Sequence, residues 1–180
     1  MEHNEHTADI EYNRVNEELR GNLAFGEDNT EYREFVDKFK KKRTSDDCYT
    51  PTNVFEAVVD WCKKEYNIDQ NKIVRPFYPN GDYKTFQYGK DCIVLDNPPF
   101  SILAEIVRFY VENNIKFFLF APSLTLFNSC TTCTAVCVGA EIIYENKANI
   151  NTSFVTNMNG KTRLRSAPSL YQAIKAANEL

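Results

Sequence analysis

The chain has 180 residues, 43% hydrophobic and 26% charged, which suits one globular domain with a continuous core and leaves little room for a second. A formal charge of -4 argues against a protein that coats nucleic acid by bulk attraction, although a local basic patch can still hold phosphates. No apolar run approaches the ~18 residues that span a bilayer, and the polar start "MEHNEHTADIEYN" lacks a signal-peptide core, so the sequence predicts a cytoplasmic protein with no membrane partner.

Residues 1–47 read as a polar helical arm. Asn29 or Thr30 can cap "EYREFVDKFKKKR", with Tyr32, Phe35, Val36 and Phe39 on one apolar face. The run from Lys38 to Arg43 carries five basic residues in six positions. It is either a solvated helix end favoured by the macrodipole or a contact for phosphates.

The remainder, 48–180, reads as an α/β domain. In "YTPTNVFEAVVDWCKKEY", Thr50 can cap a helix and Pro51 suits its first position, with Val54, Phe55, Val58, Val59 and Cys62 along one face. The linker "NIDQNK" and a short apolar step, Ile73 and Val74, lead into "RPFYPNGDY", a loop rich in turn residues. "KTFQY" reads as a short strand and "CIVL" as a clearer one, β-branched and ended by two prolines.

From Ser101 the period changes to a helical stripe of Ile102, Leu103, Ile106, Val107, Tyr110 and Val111, stopping near Asn113 and Asn114. "IKFFLFAP" is the continuous apolar run of a strand covered on both faces. "AEIIYEN" and "NTSFVTNM" are two further strands, and "PSLYQAIKAANEL" is a closing amphipathic helix. This order predicts a mainly parallel sheet with helices on both faces and ligands at the carboxyl ends of its strands.

The six cysteines are expected to stay reduced in the cytoplasm. "CTTCTAVC" has the C-x2-C-x3-C spacing of a metal or cluster site. Its Thr, Ala and Val neighbours and the missing second ligand pair favour cysteines packed as small hydrophobes, so no metal is expected.

The stretch "IVLDNPPFS" asks what needs a carboxylate, an amide, two rigid prolines and a phenyl ring at the end of a strand. The Asn97 side-chain carbonyl and a main-chain carbonyl of Asn97 or Pro98 can accept both protons of one planar NH2 group. Pro98 and Pro99 hold those acceptors preorganised, and Phe100 can stack on the ring that carries the amine. The bland alternative is a rigid turn that merely ends a strand. Its place between an apolar strand and an amphipathic helix favours a site for an amino-bearing flat heterocycle.

With these residues the chain resembles the S-adenosylmethionine-dependent amino-methyltransferases, above all the DNA adenine-N6 methyltransferases of phages and mobile elements. Tyr49, Thr50 and Pro51 resemble the upstream "TP" element that contacts the methionine part of the cofactor. Arg75 to Tyr83 resembles the "DPFxGxG" cofactor loop, giving Pro76, Phe77, Asn80, Gly81 and Asp82 as cofactor contacts. Asn97, Pro98, Pro99 and Phe100 match the catalytic tetrapeptide, with Asp96 beside it.

The resemblance covers roughly residues 48–165 and implies a compact Rossmann-like methyltransferase sheet, S-adenosylmethionine as cofactor and DNA as partner. The sequence departs from the family at Arg75, where an Asp is usual, and at Pro79, where a Gly is usual. Only positions 82–95 stand where the family has further strand-helix units. Those departures give the second expectation, a catalytically inactive relative that binds nucleic acid or a protein partner.

Overall fold

The computed structural model describes residues 49–77, 81–128 and 132–179. The expected N-terminal arm with its basic run lies outside them, as do Cys48, Asn80 and Cys130.

Helix α1, Thr52–Tyr66, buries Val54, Val58, Trp61 and Cys62, the i, i+4, i+7 and i+8 positions of one face. It ends where Asn67 turns into the left-handed region at φ 51, a conformation that Asn tolerates better than most residues. Thr50 does not cap it. Pro51 occupies the N-cap with extended backbone, φ -53 and ψ 141, and no side chain bonds the first turn.

Six strands follow: β1 Ile73–Val74, β2 Ile93–Asp96, β3 Lys116–Pro122, β4 Thr134–Ile143, β5 Asn149–Thr156 and β6 Leu164–Ser166. They form one sheet in the order β1-β2-β3-β5-β4-β6. β1, β2 and β3 pair in parallel, β4 and β6 pair in parallel, and β5 runs antiparallel to both of its neighbours. The sheet is therefore mixed, with β5 the one reversed strand among the six. The domain is α/β.

Alternation along the strands sends side chains to two separate cores. On one face, Ile93, Leu95, Phe118, Phe120, Val136 and Phe154 meet α1 and the closing helix α3, Pro168–Asn178. On the other, Val94, Phe117, Leu119, Ala135 and Val155 meet helix α2, Leu103–Glu112. Every strand residue named here is buried, and each large apolar side chain so placed contributes about 1.5–3 kcal/mol. Helices thus cover both faces, as the continuous apolar runs of β2 and β3 predict.

Helices α1 and α3 lie antiparallel. Asn53 Nδ2 donates to the Ala177 carbonyl at 2.5 Å, and Trp61 Nε1 donates to Ser169 Oγ at 2.9 Å.

One expectation fails and one strand goes unforeseen. "KTFQY" is not a strand: Asp82 Oδ1 accepts from the Lys84 amide and the Asp82 carbonyl from the Thr85 and Phe86 amides, so the chain curls there. Its aromatic residues pack inward instead, with Tyr83 edge-on to Phe109 at 5.2 Å and Tyr88 edge-on to Tyr110 at 5.8 Å. Strand β6, in turn, carries the half-polar edge sequence Leu164, Arg165, Ser166 and gives no apolar run to read.

The "CTTCTAVC" segment enters β4, where Cys133 lies in the second core and Cys137 packs against it. Cys133 is disulfide-bonded, a departure from the expected reduced thiols. Cys62, Cys92 and Cys137 are free. Among the described residues no helix is long and apolar enough to cross a membrane.

Candidate active site

Strand β2 is buried along its whole length, and its last residue is a carboxylate, Asp96, only 1% exposed. A charge so placed must be compensated. Asp96 Oδ2 accepts the Phe77 amide at 2.9 Å, and Oδ1 accepts the Asn97 amide at 3.0 Å and Arg75 Nε at 3.3 Å. Burial pushes the carboxyl above its ordinary value, and the Phe77 amide, the Arg75 charge and the Asn97 amide offset part of that rise.

This carboxylate joins two segments of separate origin. Phe77 belongs to the loop that leaves β1, and Asn97 opens the Asn-Pro-Pro-Phe turn that leaves β2. The two strands are parallel neighbours, so both loops emerge at the same edge. Arg75 reaches a third element: its guanidinium lies 3.7 Å from the centroid of the Phe55 ring on α1.

Pro98 is buried, while Asn97, Pro99 and Phe100 are half-buried. Pro99 leads into a single 3-10 turn, Phe100–Ile102, before α2 begins. The Phe100 ring packs edge-on against Tyr144, with centroids 6.4 Å apart. Tyr144 is itself fixed by a 3.1 Å contact between its hydroxyl and Thr152 Oγ1.

The next residue in that hairpin reaches the start of α1, because the Glu145 amide donates to the Tyr49 carbonyl at 3.1 Å. Tyr49 is exposed, Pro51 half-buried, and Thr50 only 9% exposed. Thr50 Oγ1 is buried with no hydrogen-bond partner in the protein. An unpaired buried hydroxyl costs ~1–3 kcal/mol unless a water or ligand atom meets it.

In the loop after β1, Gly81 folds back onto Pro76. A Cβ at Gly81 would stand 2.0 Å from the Pro76 carbonyl oxygen, so only glycine closes this loop. Asp82 is exposed, and its Oδ1 is taken up by the Lys84 amide; it builds the following turn. Asn80 lies outside the described residues.

The structure thus brings Tyr49 to Pro51, Pro76, Phe77 and Asp96 to Phe100 to one edge of the sheet. Sequence reasoning misses the braces Phe55 and Arg75 and the Tyr144 ring beside Phe100. A lone carboxylate closing an apolar strand is the signal for Arg75, since it demands a donor from the neighbouring strand end. Comparison with protein-family models, with curated proteins and with solved structures finds no match for this chain.

Proposed function

We propose that the chain transfers a methyl group from S-adenosylmethionine to the N6 amine of adenine in DNA, on a compact Rossmann-like methyltransferase sheet. One observation carries this reading. The Asp96 carboxylate holds the Phe77 and Asn97 amides together, so the segment resembling a cofactor loop and the segment resembling a catalytic turn share one anchor at adjacent strand ends.

The residues present fit the cofactor in one testable respect: the buried Thr50 hydroxyl lacks a partner where the resemblance puts the methionine part. Thr50, Pro76 and Phe77 would hold the cofactor, with Tyr49 and Pro51 shaping its methionine end. When bound, S-adenosylmethionine supplies an electrophilic methyl group.

The remaining work belongs to the chain. Asn97 and a carbonyl beside Pro98 would accept hydrogen bonds from the two amine protons and favour a pyramidal nitrogen whose lone pair is free, the surplus proton passing to water once the nitrogen is methylated. Phe100, steadied by Tyr144, presents a ring on which a base taken out of the stack can lie. Asp96 takes no part in the proton balance: its oxygens are engaged by Arg75 and two amides, and its role is to fix the turn.

The test is tritiated methyl incorporation from S-adenosylmethionine into mixed-sequence DNA, with N6-methyladenine identified after digestion. Labelled N6-methyladenine supports the reading, and an unlabelled DNA product overturns it.

A second reading, an inactive relative that binds nucleic acid or a protein, is favoured by one observation. Among the described residues the sheet ends at the two-residue strand β1, and positions 82–92 curl into aromatic turns with no further strand. Calorimetric titration with S-adenosylmethionine separates the two, because silence at submillimolar cofactor supports the inactive form.

A further inference from the structure

The first turn of α1 presents positive charge that its own side chains do not answer. The helix runs for 15 residues, yet no side chain caps its start and its first turn carries no acidic residue. The amides that open an α-helix have no acceptor within it, and the positive end of the helix dipole gathers there. The ladder reaches Phe55, whose amide donates to the Pro51 carbonyl at 2.9 Å.

Two further features converge on that turn. Thr50, just ahead of it, is only 9% exposed, and its Oγ1 is buried with no hydrogen-bond partner in the protein. Arg75 arrives from the end of β1, its guanidinium 3.7 Å from the centroid of the Phe55 ring. A helical side chain leans back over the turn N-terminal to its own Cα, so the Phe55 ring carries this cation toward the start of α1.

Asp96 accounts for only part of Arg75. The carboxylate is 2% exposed and meets Nε at 3.3 Å, while the Arg75 side chain keeps 31% of its surface open. A guanidinium carries N–H donors on more than one edge of its planar fork, so a single arginine can serve two carboxylates. An uncapped helix start, a buried hydroxyl and a partly open guanidinium together suit the carboxylate of an amino acid.

We propose that Arg75, with Thr50 and the opening amides of α1, binds the carboxylate at the methionine end of the cofactor, and that Arg75 thereby selects a cofactor that carries this group. The inference rests on the methyltransferase reading. It gives the departure at position 75 a purpose, because the Asp usual there would repel the group that an Arg attracts.

The experiment titrates S-adenosylmethionine and decarboxylated S-adenosylmethionine, which lacks only the carboxylate, into the full chain as wild type, Arg75→Gln, Arg75→Lys and Thr50→Val. The decarboxylated ligand is the more positive, so the overall field of a chain of net charge -4 favours it. Wild type should nonetheless bind S-adenosylmethionine roughly tenfold or more tightly, the scale of one hydrogen bond to a charged group. Arg75→Gln should lose or reverse that preference. Arg75→Lys should keep part of it, since an ammonium supplies the charge without the fork. Both ligands are compared on the same variant, so stability lost with the Asp96 pair cancels from the ratio. Thr50→Val leaves that pair intact and should narrow the preference as well.

Equal affinity for the two ligands in wild type, or a preference unmoved by Arg75→Gln, overturns the carboxylate contact while leaving the methyltransferase reading standing. Should Arg75→Gln fail to fold, a preference unmoved by Thr50→Val has the same force. If wild type binds neither ligand, the methyltransferase reading falls and takes the contact with it.

Discussion

Arg75 Nε stands 3.3 Å from Asp96 Oδ1 while the other side of its guanidinium covers the Phe55 ring at 3.7 Å. One side chain thereby ties α1, the end of β1 and the end of β2. Removing the guanidinium leaves a carboxylate that is 2% exposed without its cation. Arg75→Ala should cost about 3 kcal/mol, the lower end for breaking a buried pair, because Arg75 itself is partly open to solvent. Arg75→Lys should recover only part of this, lacking both the planar stack and the Nε donor. Urea unfolding measures both; an Ala variant as stable as wild type removes the brace.

Asp96 also sets a pH dependence. Its folded carboxyl titrates above 3.8, so between that value and the raised one the folded protein keeps a proton that the unfolded chain has released. The stability this group contributes is present below 3.8 and is lost as pH rises through the folded value. Asp96→Asn removes the titration. The stability of wild type minus that of the variant should fall as pH rises above about 4 and level off once the folded carboxyl has ionised. A difference that rises with pH reverses the sign and the assignment.

Thr50→Val keeps the shape and deletes the buried, unpartnered hydroxyl. Without ligand the variant should equal or exceed wild-type stability, because an unsatisfied group worth ~1–3 kcal/mol is gone. With S-adenosylmethionine it should bind about tenfold more weakly, the loss of one hydrogen bond. Thermal unfolding with and without cofactor reads both arms, and a destabilised variant with intact cofactor affinity refutes the ligand role.

On the proposed reading, Asn97 and Phe100 separate chemistry from capture. Asn97→Ala should leave cofactor binding nearly unchanged and slow methyl transfer by roughly 10²-fold, the scale of one preorganised polar group lost. Phe100→Ala should weaken DNA engagement by about 1–3 kcal/mol, the worth of stacking on one base. Single-turnover rates and cofactor titrations discriminate them. Cofactor affinity lost in Asn97→Ala assigns that residue to binding.

The three α-helices among the described residues were legible because each carries an apolar stripe at helical spacing, and β2 because Ile93 to Leu95 is apolar and stops at two prolines. The mixed sheet was not. β5 is buried on both faces from Thr152 to Thr156, and nothing local states that it slots between β3 and β4 in reverse. Within the site, the motif residues declare themselves by type, whereas Arg75 and Phe55 act through a contact across separate elements. The Pro51 cap illustrates the same limit: a proline fits a first helical position and an extended cap equally well, and here the backbone takes the second.

The contact between Asn53 and Ala177 joins residues 124 apart in the chain. During synthesis, α1 emerges ahead of all six strands with Val54, Val58 and Trp61 bare, and the helix that covers them is made only after the sixth strand. Folding of that face must wait for a long-range closure, which slows it and leaves an apolar helix exposed to chaperones in the interval. A circular permutant that links the end of α3 to the start of α1 turns that closure into a local one, and shortens the wait without altering the core.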